Sequence, residues 1–148
     1  MNEALRTPRP RGRMSTSERL ARQLFQSIAK GGPQSESIEL LHPEAEVAPS
    51  YDPTVLLSPS ELGRHLTSRD EPRVLEARAD SYRSLDDERV IVEGQVVLKE
   101  ANGCTGYRSV TWALVFRDGL LYRSWATSSL RDAERRLSAA GPELEPAA

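Results

Sequence analysis

The stretch from Val74 to Ser129 constrains this chain more than any other. Asp86-Asp87, Asn102-Gly103 and Asp118-Gly119 break it into four segments. Asn-Gly and Asp-Gly supply the positive φ angles that two-residue hairpins need. Between the breaks, apolar residues alternate with period two, so each segment predicts a strand with one buried face. The strands are expected at Arg73–Tyr82, Glu88–Lys99, Cys104–Phe116 and Leu120–Ser129, as an antiparallel meander. In the first, Leu75, Ala77 and Ala79 oppose Glu76, Arg78 and Asp80. In the second, Val90, Val92, Val96 and Leu98 oppose Ile91, Glu93, Gln95 and Val97. The third places Val110, Trp112, Leu114 and Phe116 together. The fourth separates Leu120, Tyr122, Ser124 and Ala126 from Leu121, Arg123, Trp125 and Thr127. Strands this long twist and bend. Gly94 and Gly106 inside them mark expected bulges or sharp bends.

A sheet with one apolar face needs cover, and the flanking segments supply it. Ser15-Thr16-Ser17-Glu18 has capping-box spacing, followed by Leu20, Leu24, Phe25 and Ile28 at helical period. Gly31-Gly32-Pro33 ends that helix. A second, short helix is predicted over Gln34 to Leu41, closed by His42-Pro43. Glu46 to Leu57 reads as two short extended pieces, kept at an edge or in a loop by Pro49 and Pro53. Ser58-Pro59-Ser60-Glu61 caps a third helix that runs to about Ser68 and presents Leu62, His65 and Leu66 together. A last helix is expected from Leu130 to Ala139, stopping at Gly141-Pro142.

The length of 148 residues fits one domain, expected at residues 15–140. Residues 1–14 hold four arginines and two prolines with little to bury, and predict a disordered basic leader. Residues 141–148 predict a loose tail. A net charge of −2 gives no general attraction to nucleic acid or membrane, and neither is expected as a partner. No apolar run approaches the roughly 20 residues that span a bilayer. Cys104 is the sole cysteine, so the fold stands on packing without an internal disulfide. A cytosolic location is the expectation from these features. Arginine outnumbers lysine 18 to 2, as codon bias in a GC-rich bacterial genome would give.

Three stretches carry a family resemblance. Leu40-Leu41-His42-Pro43-Glu44-Ala45-Glu46-Val47 looks like a helix end running into a first strand. The Ser58–Leu66 helix follows at the expected distance. Phe116-Arg117-Asp118-Gly119-Leu120-Leu121-Tyr122-Arg123-Ser124-Trp125 looks like a penultimate hairpin. In this order they resemble the nuclear-transport-factor-two-like superfamily, and within it the SnoaL-like proteins, over about residues 15–140. The resemblance implies an α+β cone, a strongly bent antiparallel sheet wrapped on three N-terminal helices, with a pocket inside. Such proteins include ketosteroid isomerase, polyketide cyclases, a limonene epoxide hydrolase, ligand binders and interaction modules. Fold alone does not choose among them.

The implied pocket residues are Phe25, Tyr51, His65, Val92, Val110, Trp112, Leu114 and Ser124. Isomerase and cyclase chemistry needs a carboxylate base beside the carbonyl, and the isomerase needs donors for its oxyanion. Aligned on the stretches above, the isomerase tyrosine falls on Phe25, its base near Pro49 and its oxyanion acid near Trp112. None of the three carries a carboxylate or a phenol. His65, Tyr51 and Asp52 are the remaining catalytic candidates: His65 titrates near neutral pH, and Tyr51 and Asp52 share the loop where the isomerase keeps its base. His42 at a helix end is expected to bond terminal carbonyls. Trp112 either stacks on a ligand or fills the core. Two histidines and one cysteine give a metal site little support, and no cofactor is implied.

Glu93, Gln95, Arg123 and Trp125 share the opposite sheet face, and the resemblance implies homodimerisation there. The expected function is binding of a small hydrophobic molecule in the cone. The alternatives are a cyclase, isomerase or hydrolase using His65, Tyr51 or Asp52, and an interaction module whose cone is plugged by Trp112, Phe25 and Phe116.

Overall fold

A computed structural model describes residues 14–31, 39–48, 56–67, 73–100 and 102–144. The elements in order are α1 (Thr16–Gly31), β1 (Leu41–Ala48), α2 (Pro59–Thr67), β2 (Arg73–Ser84), β3 (Arg89–Lys99), β4 (Thr105–Arg117), β5 (Leu120–Thr127) and α3 (Leu130–Leu144). This is an α+β fold on one five-stranded sheet of order β1-β5-β4-β3-β2. The four-strand meander is present as expected, with antiparallel pairing from β2 to β5. The sheet as a whole is mixed, because β1 pairs with β5 in parallel. The expected fully antiparallel sheet is corrected in that one strand. A long crossover separates β1 from β5 in the chain, which is what parallel pairing requires.

The Gln34–Leu41 helix falls mostly outside the described residues. Its final residue, Leu41, opens β1, so His42-Pro43 lies in an edge strand and closes no helix. Pro43 sits inside a register shift between Leu41 and Glu46, where a missing N–H breaks no ladder bond. Val47 and Leu57, at the two ends of the Glu46–Leu57 stretch, form a two-bond antiparallel bridge. Two helices, α1 and α2, are described ahead of the meander. Helix α3 continues past Gly141-Pro142 to Leu144. The fixed φ of proline is helical, and near a terminus its missing N–H removes at most one bond.

Turn chemistry sets the strand ends. Asp118 (φ 57°) and Gly119 (φ 80°) form the two-residue hairpin that Asp-Gly predicts. Asn102-Gly103 behaves differently: Gly103 alone has positive φ (88°), in a longer loop closed between Glu100 and Cys104. The Asn102 side chain accepts the Cys104 N–H at 2.9 Å. Asp86 organises the third turn by accepting the N–H groups of Glu88 and Arg89 at 2.9 and 2.8 Å.

Both capping signals form. Ser58 Oγ accepts the Glu61 N–H at 3.3 Å, while Glu61 accepts the Ser58 N–H at 2.9 Å, a complete reciprocal box. The Ser58 backbone and side-chain bonds, with Arg64 nearby, hold the Glu61 carboxyl below its ordinary range. At α1 only half the box closes. Ser15 Oγ accepts the Glu18 N–H at 3.1 Å, and the Glu18 carboxylate turns to Arg22 at 2.8 Å.

Two apolar clusters lie on opposite faces of the sheet. The inner one joins Ala21, Leu24 and Phe25 of α1 to Val90, Val92, Val96, Leu98, Val110, Trp112, Leu114, Phe116, Leu121 and Ala126. The outer one joins Ile91, Ala113 and Val115 to Ala133 and Leu137 of α3. Period-two alternation puts the clustered residues of β2 to β5 on the faces the sequence predicts, except past two of the register shifts. A register shift between Ala79 and Ser81 brings Tyr82 onto the inner face. A shift between Val115 and Phe116 puts Leu121 inside and Tyr122 outside, reversing the expected sides of that pair. Gly94 lies opposite Ala79 at the first bulge, and a Cβ there would strike the Arg78 carbonyl. Among the described residues, no helix is long and apolar enough to cross a membrane.

Candidate functional site

One end of the inner face, the closed end, is covered by aromatic side chains, and the other, the open end, borders a notch. At the closed end, Phe25 packs on Trp112 with ring centroids 4.9 Å apart and meets Tyr82 edge-on at 6.4 Å. Such aromatic pairs contribute about 0.5–1.5 kcal/mol beyond burial. Burial pushes the Tyr82 phenol above its ordinary range, while the Arg22 guanidinium, 4.3 Å from the ring centre, partly opposes that shift. Phe25, Val92, Trp112, Leu114, Phe116 and Ser124 are all buried here. Trp112 is a core residue, one of the two roles its sequence position allows.

The open end results from a length mismatch. Strand β4 has 13 residues and β5 has 8. Their pairing ends at Thr111↔Thr127, so Arg108, Ser109 and Val110 overhang without a β5 neighbour. The chain then turns through Ser128-Ser129 into α3, where Ser129 Oγ accepts the Asp132 N–H at 3.1 Å. A cavity of about 270 Å³ occupies the resulting notch. Val96, Leu98, Val110 and Ala126 form its apolar floor. Arg108, Ser109, Thr127, Ser128, Asp132 and Arg136 form its polar rim. Thr127 is committed locally, its hydroxyl bonding the carbonyls of Thr111 and Ser129.

Of the sequence-expected pocket residues, Val110 alone is found in this lining. Tyr51 and Asp52 lie outside the described residues, and so does the side chain of His65 on α2. The floor residues Val96, Leu98 and Ala126 were assigned to the inner face by alternation but not to the pocket. Arg108 had a readable signal. It shares the parity of Val110 and Trp112, and its register partner is the buried Val96, so it is a charged residue in an apolar stripe. Arg136 and Asp132 had none, because nothing in a helical pattern says which loop end it will face.

The other candidates resolve into structural roles. Among the described residues, His42 bonds no helix-terminal carbonyl. Its Nδ1 accepts the Glu44 N–H at 3.0 Å, its Nε2 stands 3.8 Å from Asp118, and its ring meets Tyr122 edge-on. Glu93 accepts a hydrogen bond from Ser81 at 3.1 Å. Arg123 lies 3.5 Å from Glu46 and over the Tyr122 ring at 4.0 Å. Gln95 is half-buried opposite Arg78 and Ser109. Trp125 is half-buried against the outer cluster under α3, so that part of the expected open face is covered within the monomer. Among the described residues, no group of three His, Cys, Asp or Glu is arranged to hold a metal.

No family model matches the chain, and no curated protein does. Solved structures do. A protein from Pseudomonas putida assigned as a polyketide cyclase is 15% identical, with a TM-score of 0.58 over 81% of this chain and 96% of its own. The Δ5-3-ketosteroid isomerase of Mycobacterium sp. is 12% identical, at 0.59 over 81% and 97%. Rv0760c of Mycobacterium tuberculosis, solved in complex with estradiol-17β-hemisuccinate, is 9% identical, at 0.63 over 80% and 97%. At such identities the likeness speaks of architecture and leaves chemistry open. The chain has the nuclear-transport-factor-two-like fold that these solved structures share.

Proposed function

We propose that this protein binds a small hydrophobic molecule in the notch beyond β5. The observation that carries the reading is the 270 Å³ cavity with four aliphatic side chains as its floor and polar groups at its rim. That size lies near the small end of ligand sites, about 300 Å³ upward, and the apolar-floor, polar-rim pattern is typical of them. The complex of Rv0760c with a steroid ester supports small-molecule binding on this fold. Binding is favoured over proton-abstraction chemistry because the buried inner-face residues described include no carboxylate. The packed end at Phe25, Trp112 and Phe116 favours a second reading, an interaction module, for that end alone.

Titration with the neutral dye Nile red tests the reading. Fluorescence enhancement is expected in the wild type and its loss in Ala126→Leu, which fills the floor. Ser109→Trp fills the notch from an exposed position and gives the same answer without disturbing the core. A wild type that leaves the dye dark, or filled variants that bind it unchanged, overturns the proposal. A cytosolic location is part of the same reading. Self-association is proposed through the part of the outer face bearing Glu93, Gln95 and Arg123, and sedimentation velocity reads it.

A further inference from the structure

The polar groups around the notch are not balanced in charge. Glu100 stands 3.9 Å from Arg108, and Asp132 stands 3.4 Å from Arg135. Asp132 on the rim and Glu100 beside Arg108 therefore each have an arginine partner. Arg136, one helical turn beyond Asp132, lines the cavity with no ion pair among the described residues. Arg108 holds Glu100 at the limit of an ion pair, with about half of its side chain exposed, so that contact is weak and exchangeable. Two guanidinium groups thus border one aliphatic floor. A guanidinium offers planar paired donors that match a carboxylate, and it keeps its charge at any ordinary pH.

We infer that the notch takes a small amphiphile with a carboxylate head, held at Arg108 and Arg136, and an aliphatic or aryl body over Val96, Leu98, Val110 and Ala126. This rests on the ligand-binding reading above and names the ligand class. The modest volume limits the body to a short chain or a single small ring system. The arrangement divides the work: the floor supplies affinity by apolar burial, and the arginines supply selection for the head group.

Isothermal titration calorimetry with octanoate, octanol and octylamine separates the two layers. The three probes share one body and differ in head charge. Octanoate is expected to bind the wild type at least about tenfold more tightly than octanol, in line with a charge-assisted hydrogen bond. Octylamine is expected to bind most weakly. Arg136→Gln should remove most of the octanoate preference, and the Arg108→Gln/Arg136→Gln double variant all of it, so that octanoate binds no more tightly than octanol. Raising the salt from about 50 to about 500 mM, which shortens the screening length about threefold, should weaken octanoate and spare octanol. Equal binding of octanoate and octanol, tighter binding of octylamine, or a preference that survives in the double variant overturns the carboxylate inference. The hydrophobic-ligand reading survives those results. Binding of none of the three probes overturns both.

Discussion

The two ends of the inner sheet face are built from the same alternating stripe and have opposite fates. At one end Phe25 of α1 packs against Trp112 and Tyr82. At the other, Val96, Leu98, Val110 and Ala126 present smaller side chains where β4 has outrun β5, and a cavity remains. Side-chain parity is identical along the stripe. What differs is cover: aromatic volume and a helix at one end, a missing strand neighbour at the other. A stripe of inward residues therefore specifies a face, and the lengths of neighbouring elements specify whether that face becomes core or site.

The largest expected effect comes from removing the filling at the closed end. Trp112→Ala should lower stability by about 3–5 kcal/mol in urea unfolding, since it removes a packed indole and leaves a cavity. Nile red binding at the notch should persist while the variant is folded, because Trp112 does not line it. Lost binding in a folded Trp112→Ala protein would falsify the separation of the two ends.

Next is the outer face. Leu137 is fully buried in the outer cluster, and Leu137→Ala should cost about 2–5 kcal/mol. Because α3 also carries Asp132 and Arg136 to the rim, loosening the helix should weaken octanoate binding more than octanol binding. Equal weakening of both would mean that α3 shapes the floor and does not select the head group.

A smaller effect is expected where α1 is anchored. Ser17 is fully buried, and its hydroxyl donates to the Asp86 carbonyl at 2.6 Å. Ser17→Ala removes that bond while Ser84 Oγ still donates to the same carbonyl at 2.9 Å, and should cost about 0.5–1.5 kcal/mol. The loss should fall on the closed end, which α1 covers, and leave dye affinity intact. A shift in dye affinity would show that α1 also holds the notch.

The smallest effect concerns acid. Burial raises the Asp86 carboxyl, but bonds from Arg89 and from the Glu88 and Arg89 amides outweigh it, and the net shift is downward. A carboxyl held below its unfolded value adds stability above that value, about 3.9, and loses it as pH falls through the folded one. The side chain is nearly half exposed, so the contribution is modest. Wild type should lose stability more steeply below about pH 4 than Asp86→Asn, as thermal melts across that range will read. Parallel curves would remove Asp86 from the account of the hinge between β2 and β3.

Much of the architecture was legible in the residues. Asp118-Gly119 named its own turn, Ser58 and Glu61 named the start of α2, and period-two alternation sorted Val90 to Leu98 onto two faces. These are local rules, each satisfied within a few neighbouring residues. The failures share a cause too. The shifts beside Ala79 and at Tyr122 add one residue to one strand only, and pairing reveals them where a single strand cannot. The candidate site was less legible. Arg108 is marked by its parity with Val110, while Trp112, at the centre of the expected pocket, is buried in the core cluster.

By itself the sequence determined the meander, its turns, two helix starts and which residues face inward, because hydrogen-bond geometry and side-chain period act over short range. Tertiary structure alone decided that β1 lies parallel beside β5, that α3 covers Trp125, and that Arg136 and Arg108 line one notch. These outcomes depend on which segments come together over long stretches of chain, and on where one strand stops while its neighbour continues.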